Sequence, residues 1–373
     1  MMNLFTIVCF CLITLVVECE YISGSGVTLG MGHMTTETST FATNDPNLYY
    51  SPYQWLVTEN SASTINSASY VRFMFSGSFL NFTFDVSNMV SPISEVYWKI
   101  DNGPMTHSLV LSVVSVEIPV NNTHGDVPYH SVELFVKSTT ETANRWSATG
   151  PSTRVILTGI VTDGTLAPWI PNNVNVLIYG DSITEGVLCL GGSQRFDTDH
   201  NDASVVYSYT LARLLGTEIG VVGFGATGLS RGGSGGVPAL GISWNQLWDG
   251  VPRSFTPRPD LILFNEGTND GSNNITSQMA IVLQNLLIAC PGTPIVVMLP
   301  FNGAEESNLK AAIDKVNSNL ISFLDTTGFY NQTLGGGLHP TGPNDVARIS
   351  PQIANKVRSI LAKSIASREE FLN

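Results

Sequence analysis

The chain has 373 residues, a net charge of −13 and only 13% charged residues. Nucleic acids and anionic membranes select clusters of Lys and Arg, so this acidic balance argues against both as partners. The length suits about two domains of roughly 150 residues each, and a hydrophobic content of 43% is enough for a sizeable core.

The first 19 residues predict a signal peptide. Residues 4–17 form an apolar run of the length of a signal-peptide core, which is short for a membrane span. Val17 and Cys19 fit positions −3 and −1 of a cleavage site, so the mature chain would start at Glu20; a retained N-terminal anchor is the alternative. No other stretch approaches membrane length, so we expect a secreted protein with no integral membrane span in its mature chain.

Sequons for N-glycosylation agree with secretion. They begin at Asn81, Asn121, Asn274 and Asn331. Three of the five cysteines would leave with the signal peptide, and the sequence leaves open whether the other two, Cys189 and Cys290, form a disulfide. Since no Cys/His cluster has the spacing of metal ligands, we expect no metal site.

Residues 20–165 read as an all-β domain. Segments such as YVRFMF (70–75) and LNFTFDV (80–86) alternate in polarity and are separated by Gly, Pro, Asn and Asp. A period of two with frequent turns is typical of antiparallel strands. This many strands, with no convincing helix among them, predicts a β-sandwich or jelly roll.

The pattern changes over 163–173, and in residues 174–373 buried strands alternate with helices. Continuous apolar strands between amphipathic helices predict an α/β domain with a parallel sheet covered on both faces. Ligands of such sheets bind beyond the carboxyl ends of the strands. We predict strands over 174–180, 218–225, 261–267, 294–300 and 324–330, and helices over 204–215, 275–290, 305–323 and 344–367.

Polar motifs follow three of these strands. The strands end in GDSITEG (180–186), GFGATG (223–228) and EGTND (266–270), and His339 precedes the last helix. Ser182, Asn269 and His339 should therefore converge on one rim of the sheet. Acyl transfer needs this set, because it uses a hydroxyl nucleophile, a base, and N–H donors for the developing oxyanion.

The order GDSIT, G, GTND and HP resembles the SGNH (GDSL-type) hydrolase superfamily, whose fold is flavodoxin-like, and the resemblance spans the whole second half. It implies that Ser182 is the nucleophile and His339 the general base. It also implies three oxyanion donors: the N–H of Ser182, the N–H of Gly228 (with Gly225 as the fallback), and the side-chain amide of Asn269. No metal or organic cofactor is implied.

A β-sandwich ahead of such a domain is similar to carbohydrate esterase family two. FSGSFLNFTF (75–84), YWKIDNG (97–103), HSVELFVKS (130–138) and LTGIVTDG (157–164) stand in the order expected of it. Members of that family remove acetyl groups from plant cell-wall polysaccharide sugars. The resemblance therefore implies an acetylated carbohydrate as the substrate.

One position departs from the superfamily pattern DxxHP: Gly336 stands three residues before His339. A carboxylate at that position fixes the imidazole tautomer and stabilises the imidazolium. A backbone carbonyl can accept the same Nδ1–H bond, and the resemblance extends to this point, because some family-two esterases work as a Ser–His dyad with a carbonyl in the aspartate's place. We therefore expect a dyad; Asp345 is the alternative partner, although its position also suits a charge at a helix start.

Other residues near the motifs have simpler structural explanations. Ser182 alone could be a helix N-cap, and Asp181 and Asp270 more often bond loop backbone than act in catalysis. GFGATG satisfies the dinucleotide fingerprint, but no acidic residue ends a following strand about 20 residues on. GGSGG (232–236) has the spacing of a nucleophile elbow without the strand and helix that flank one.

Trp244 and Trp248 follow the Gly-rich loop. Aromatic faces stack well on sugar rings, so both are candidates for substrate contact, and a half-buried core position is the alternative for each. No sequence signal decides between these two roles.

The sequence thus predicts a secreted carbohydrate O-acetyl esterase. Two other classes stay open: a catalytically weak carbohydrate-binding or wall-associated protein, which Gly336 favours, and a GDSL-type lipase or esterase acting on lipid esters. Binding to glycans without turnover would indicate the first, and a preference for long acyl chains would indicate the second.

Overall fold

The structure, a computed structural model, describes residues 37–118, 129–192, 198–331 and 337–372. The predicted signal peptide (1–19), Asn121 and Gly336 lie outside these residues. The glycosylation and cleavage predictions that concern them stay predictions.

The alternating segments of the first half form short strands in two antiparallel sheets, as predicted. One sheet has the order β3-β4-β11-β6-β9, with β1 paired to β11, and the other has the order β12-β5-β10-β7-β8, with β2 paired to β5. The strands are β1 (Ser39–Phe41), β2 (Tyr49–Tyr50), β3 (Leu56–Val57), β4 (Ala62–Thr64), β5 (Tyr70–Ser76), β6 (Leu80–Phe84), β7 (Glu95–Ile100), β8 (Thr106–Leu109), β9 (Val113–Val116), β10 (His130–Ser138), β11 (Val155–Thr162) and β12 (Thr165–Ala167).

The two antiparallel sheets enclose a hydrophobic core. Alternate residues of β5 and β6 are buried, which places Phe73 and Phe82 in one cluster with their ring centroids 6.1 Å apart. The described residues up to Ala167 contain no helix. The antiparallel layout is therefore confirmed, while the jelly-roll connectivity stays a prediction.

The second half alternates strands and helices. Besides three 3₁₀ turns, the described residues from 175 onward form β13 (Asn175–Gly180), α1 (Ser182–Glu185), α2 (Tyr207–Leu215), β14 (Glu218–Gly223), α3 (Leu240–Ser243), β15 (Gln246–Trp248), β16 (Val251–Pro252), β17 (Leu261–Asn265), α4 (Thr276–Ala289), β18 (Ile295–Met298), α5 (Glu306–Val316), β19 (Ile321–Leu324) and α6 (Gly342–Leu372).

Five of these strands form a parallel sheet in the order β14-β13-β17-β18-β19. Numbered along the sheet's own sequence this is 2-1-3-4-5, the flavodoxin-like order. Successive residues of β13 face opposite clusters: Ile178 lies with α2 and α6, and Tyr179 lies with α4 and α5. The predicted parallel sheet, covered on both faces, is confirmed. Its switch point lies between β13 and β17, where the strand order reverses.

The end of α5 differs from the prediction. The helix expected over 305–323 ends at Val316, because Asn317 adopts a left-handed conformation with φ 52° and its N–H bonds the Ile313 carbonyl. Asn is one of the few residues that enter this conformation easily at a helix C-terminus. The chain then turns into β19, which starts at Ile321 rather than at the predicted Leu324.

The two halves share hydrophobic cores. Tyr70 and Phe135 of the antiparallel part lie in the cluster formed by α2, α6 and one face of the parallel sheet. Tyr53 and Ile65 lie in the cluster on the opposite face. The described residues from Glu37 onward accordingly form one compact unit, and the division into domains 20–165 and 174–373 stays a prediction.

Across the described residues, none of the helices combines the length and the apolar character that a membrane crossing would need.

Candidate active site

Ser182 lies at the carboxyl end of the central strand β13. Asp181 caps the single turn of α1 by accepting the Ile183 N–H at 2.9 Å. Gly223 on the neighbouring strand lets this turn pack closely, because a Cβ there would lie 2.8 Å from the Glu185 nitrogen. Ser182 is the first residue of the turn and is 6% exposed. Its own N–H belongs to the first-turn donors that have no acceptor inside a helix.

His339 reaches Ser182 from the segment that precedes α6. Its Nε2 lies 2.9 Å from the Ser182 Oγ, which is hydrogen-bonding distance for a nucleophile and its base. The Tyr330 hydroxyl holds this segment, since its oxygen lies 2.9 Å from the Gly337 carbonyl and 3.1 Å from the His339 carbonyl and its one hydrogen can be donated to either. Tyr330 was missed by sequence reasoning, since it carries no motif.

The partner that orients the histidine ring stays a prediction, because Gly336 lies outside the described residues. Asp345, the alternative partner, accepts the N–H of Thr341 at 2.8 Å and its Oγ1 at 3.1 Å. These bonds give Asp345 the role of stabilising the start of α6.

Asn269 approaches the same point from the loop after β17. Its side-chain nitrogen donates to the Thr227 carbonyl at 2.9 Å and lies 3.4 Å from the Asp181 Oδ2. The amide group is therefore held between the loop after β14 and the residue before Ser182. The structure brings Ser182, His339 and Asn269 together, as the motifs predicted, although their catalytic roles stay a proposal.

The predicted glycine donors are both engaged. The Gly228 N–H donates to the Arg231 carbonyl at 2.9 Å, and the Gly225 N–H donates to the Glu185 Oε2 at 2.6 Å. A backbone amide has a single hydrogen, so when that hydrogen points at a protein oxygen it is not directed at a developing oxyanion. This geometry argues against Gly228, and against the fallback Gly225, as the second backbone donor. The Asn269 amide has two hydrogens, and its long contact of 3.4 Å with the Asp181 Oδ2 leaves the second one available.

Asp270 holds the loop that contains Gly228. Its carboxylate accepts the N–H of Leu229 at 3.0 Å and both the N–H and the hydroxyl of Ser230 at 2.7 Å. These bonds match the structural role that the sequence suggested for Asp270. Asp181 also has the structural role that the sequence suggested, because it caps α1 at the Ile183 N–H.

Buried carboxyl groups lie behind the nucleophile. Burial raises the pKa of Asp181 to about 6, and nearby Asp270 adds to the effect. Burial also raises the pKa of Glu266 well above its ordinary value, with contributions from Asp181 and Asp270. Neither carboxyl oxygen of Glu266 has a hydrogen-bond partner among the described residues. Burial therefore disfavours the ionised form of both acids.

A buried ion pair connects the antiparallel part to the nucleophile turn. The Arg145 Nη2 lies 2.5 Å from the Glu185 Oε1, with the two side chains 0% and 4% exposed. Arg145 also donates to the carbonyls of Thr139 and Thr140, both at 2.9 Å. Sequence reasoning missed this pair, because its members are 40 residues apart and belong to no common motif.

The two predicted tryptophan contacts with substrate have different outcomes. Trp248 lies in the core cluster with 2% exposed, and this burial argues against a substrate contact. Trp244 is half-buried and stacks on Phe255, with ring centroids 5.9 Å apart. Its contact with substrate stays a prediction.

The remaining sequence predictions concern modified residues. Cys189 and Cys290 are both buried and free, so they form no disulfide. Among the sequon residues, Asn274 and Asn331 are exposed and Asn81 is half-buried on β6. Their glycosylation stays a prediction.

The fold of this chain is similar to that of several solved structures. No protein-family model matches the chain, and no curated protein sequence matches it significantly. A family two carbohydrate esterase from Cellvibrio japonicus is 21% identical and superposes with a TM-score of 0.71, over 87% of this chain and 98% of that one.

Two further solved structures superpose on this chain over most of its length and over most of their own. A family two carbohydrate esterase from Clostridium thermocellum, in complex with cellohexaose, is 18% identical, with a TM-score of 0.68 over 84% of this chain and 99% of that one. An acetyl xylan esterase from Butyrivibrio proteoclasticus is 16% identical, with a TM-score of 0.69 over 87% and 99%. The chain therefore has the fold of family two carbohydrate esterases, as the motifs predicted.

Proposed function

We propose that this protein is a secreted esterase that removes O-acetyl groups from carbohydrates. The observation that carries the proposal is the 2.9 Å approach of the His339 Nε2 to the Ser182 Oγ, at the carboxyl end of the central strand. The shared fold supports it, since the similar structures include an acetyl xylan esterase and an esterase in complex with cellohexaose. An acetylated carbohydrate is accordingly the proposed substrate.

In the proposed reaction Ser182 attacks the acetyl carbonyl carbon while His339 takes its proton at Nε2. The carbonyl π electrons move onto oxygen, and the N–H of Ser182 and the amide of Asn269 stabilise that oxyanion. Collapse of the tetrahedral intermediate expels the sugar oxygen, which takes the proton from His339. Water, deprotonated by His339, then attacks the carbonyl carbon of the acetyl-enzyme. The bond to the Ser182 Oγ breaks, this oxygen takes the proton back from His339, and the product leaves as acetic acid, which ionises to acetate. The reaction uses no metal or organic cofactor.

The replacement of Ser182 by Ala tests the nucleophile. The variant lacks the only atom that can form the acetyl-enzyme, so it should lose hydrolysis of p-nitrophenyl acetate. A stopped assay with the wild type as reference measures the loss, and the melting temperature checks folding. Full activity in a folded Ser182→Ala variant would overturn the proposal.

Acyl-chain preference tests the substrate class. A deacetylase should hydrolyse p-nitrophenyl acetate with a higher kcat/KM than the butyrate and octanoate esters, because its acyl pocket needs to hold one methyl group. Release of acetate from acetylated xylan is the matched assay on carbohydrate. A rising kcat/KM with chain length would instead indicate a lipid esterase.

A further inference from the structure

The loop after β14 contacts the Asn269 amide through the Thr227 carbonyl. Among the residues that the structure describes, six of the seven N–H groups from Phe224 to Ser230 have an acceptor, and the N–H of Ala226 has none. The acceptors are the Gly180 carbonyl for Phe224, Glu185 Oε2 for Gly225, the Phe224 carbonyl for Thr227, the Arg231 carbonyl for Gly228, and Asp270 for Leu229 and Ser230.

The orientation of the Ala226 N–H is fixed by its peptide partner. The Gly225 carbonyl accepts the Ser234 N–H at 2.7 Å, and the Ser234 Oγ lies 3.0 Å from it. In a trans peptide the N–H points opposite to the C=O, so the Ala226 N–H is turned away from Ser234. The carbonyl of the next residue, Thr227, accepts the Asn269 amide at 2.9 Å, so this turn lies directly beside the predicted side-chain donor of the oxyanion hole.

Ala226 adopts a conformation that a residue with a side chain rarely takes. Its φ is 61°, and the Thr227 N–H closes a turn on the Phe224 carbonyl at 3.2 Å. A left-handed alanine costs about 1–2 kcal/mol, and glycine or asparagine is usual at this position of such a turn. Strained residues of this kind cluster at functional sites.

Two carboxylates hold the Gly225–Ala226 peptide in place. Glu185, fixed by its ion pair with Arg145, takes the Gly225 N–H. Glu141 accepts the Ser234 hydroxyl at 2.9 Å, and the Ser234 N–H in turn bonds the Gly225 carbonyl at 2.7 Å. A donor held in this way needs no reorganisation when charge develops, which is the condition for strong transition-state stabilisation.

From these contacts we infer that the backbone N–H of Ala226 is the second backbone donor of the oxyanion hole. It stands in the role that the sequence motif suggested for Gly228. The inference rests on the proposed function, since it names a further catalytic group of the same reaction. The antiparallel part of the chain supports the reaction through Arg145 and Glu141, which position this donor without touching the substrate.

Replacement of single amides by esters tests the inference in the full chain. Incorporation of lactic acid at position 226 replaces the Ala226 N–H by an oxygen and keeps the methyl group. Glycolic acid at 225 or at 228 does the same for the two glycines. The measured quantities are kcat and KM for p-nitrophenyl acetate, the inhibition constant of methylboronic acid, and the melting temperature. Methylboronic acid forms a tetrahedral adduct with a serine hydroxyl, so it reports on the oxyanion hole without turnover.

The ester at 226 should lower kcat by about 10²–10³ with KM unchanged, which is the effect of removing one oxyanion donor. It should also raise the inhibition constant of methylboronic acid, because the tetrahedral adduct loses the same donor. Asn269→Ala is the matched side-chain variant and should give a loss of the same order. A larger loss of kcat for the ester at 225 or 228 than at 226 would overturn the inference and assign the donor to that glycine. Equal kcat for the 226 ester and the wild type would also overturn it. A wild type without turnover would contradict the proposed function itself.

Discussion

Asp181 connects two parts of the site through one buried carboxyl group. It caps the nucleophile turn at Ile183 and lies 3.4 Å from the Asn269 amide. Burial, aided by the charge of Asp270, raises its pKa from 3.8 to about 6. A carboxyl whose pKa is higher in the folded than in the unfolded protein stabilises the fold when it is protonated.

The contribution of Asp181 should therefore be fully present below about pH 3.8 and lost as pH rises through about 6. A shift of this size corresponds to a change on the order of 3 kcal/mol. Asp181→Asn keeps an oxygen for the cap but cannot ionise, so its stability relative to the wild type should rise by that order from pH 4 to pH 7. Urea denaturation at each pH measures the difference.

Asp249→Asn is the control for this experiment. Asp249 is exposed, so its replacement should leave the pH dependence of the wild type in place. If Asp181→Asn and the wild type ran parallel from pH 4 to pH 7, the carboxyl would titrate alike in the folded and unfolded chains, against the structure.

At the level of elements, the turn α1 depends on the segment after β10. Arg145 and Glu185 form an ion pair with almost no exposure to solvent. Desolvation of such a pair costs free energy, and removal of one member leaves the other as an unpaired charge in the interior. The segment 139–145 therefore determines where α1 and the loop after β14 lie, although it belongs to the antiparallel part of the chain.

Arg145→Met should destabilise the protein by about 3–5 kcal/mol, because Glu185 is left as an unpaired buried charge. The double variant Arg145→Met/Glu185→Gln should recover most of this loss, since Gln is neutral and keeps an acceptor for the Gly225 N–H. Chemical denaturation measures both free energies of unfolding.

Lys310→Met is the matched surface variant. It breaks an ion pair with Glu306 in which both side chains are about half exposed, 51% and 48%, and solvent screening leaves such a pair with little net effect on stability. A double variant no more stable than Arg145→Met would show that the cost arises from lost packing and hydrogen bonds of Arg145 rather than from the unpaired charge.

At the level of the whole molecule, the antiparallel part and the parallel sheet form a continuous structure. The Tyr70 hydroxyl donates to the Glu218 Oε2 at 2.5 Å, and Arg72 bonds the same oxygen at 2.9 Å. Tyr70 and Phe135 are also buried among residues of α2 and α6. Neither part can separate without exposing apolar surface and the Glu218 carboxylate.

We therefore expect one cooperative unfolding transition for the full chain, with calorimetric and van't Hoff enthalpies in agreement. Glu218→Gln should lower the temperature of that transition without splitting it, because the shared hydrophobic clusters remain. Two resolved transitions in scanning calorimetry would instead support the two independent domains that the sequence suggested.

The local patterns determined a good part of this molecule. Period-two segments such as 70–75 gave antiparallel strands, and apolar runs such as 174–180 gave the parallel sheet, because burial on one face or on both leaves a direct mark on the sequence. The motifs also identified the residues that converge, Ser182, Asn269 and His339, since strand ends in a parallel sheet meet at one edge.

Only the tertiary structure decided which groups are available at that edge. The Gly228 N–H, assigned by motif, is taken by the Arg231 carbonyl, and the Gly225 N–H is taken by Glu185. Trp248, a candidate for substrate contact, is core. Hydrogen-bond direction, burial and the pairing of Arg145 with Glu185 depend on residues distant in the chain. No local pattern of residue types records which of those residues will meet.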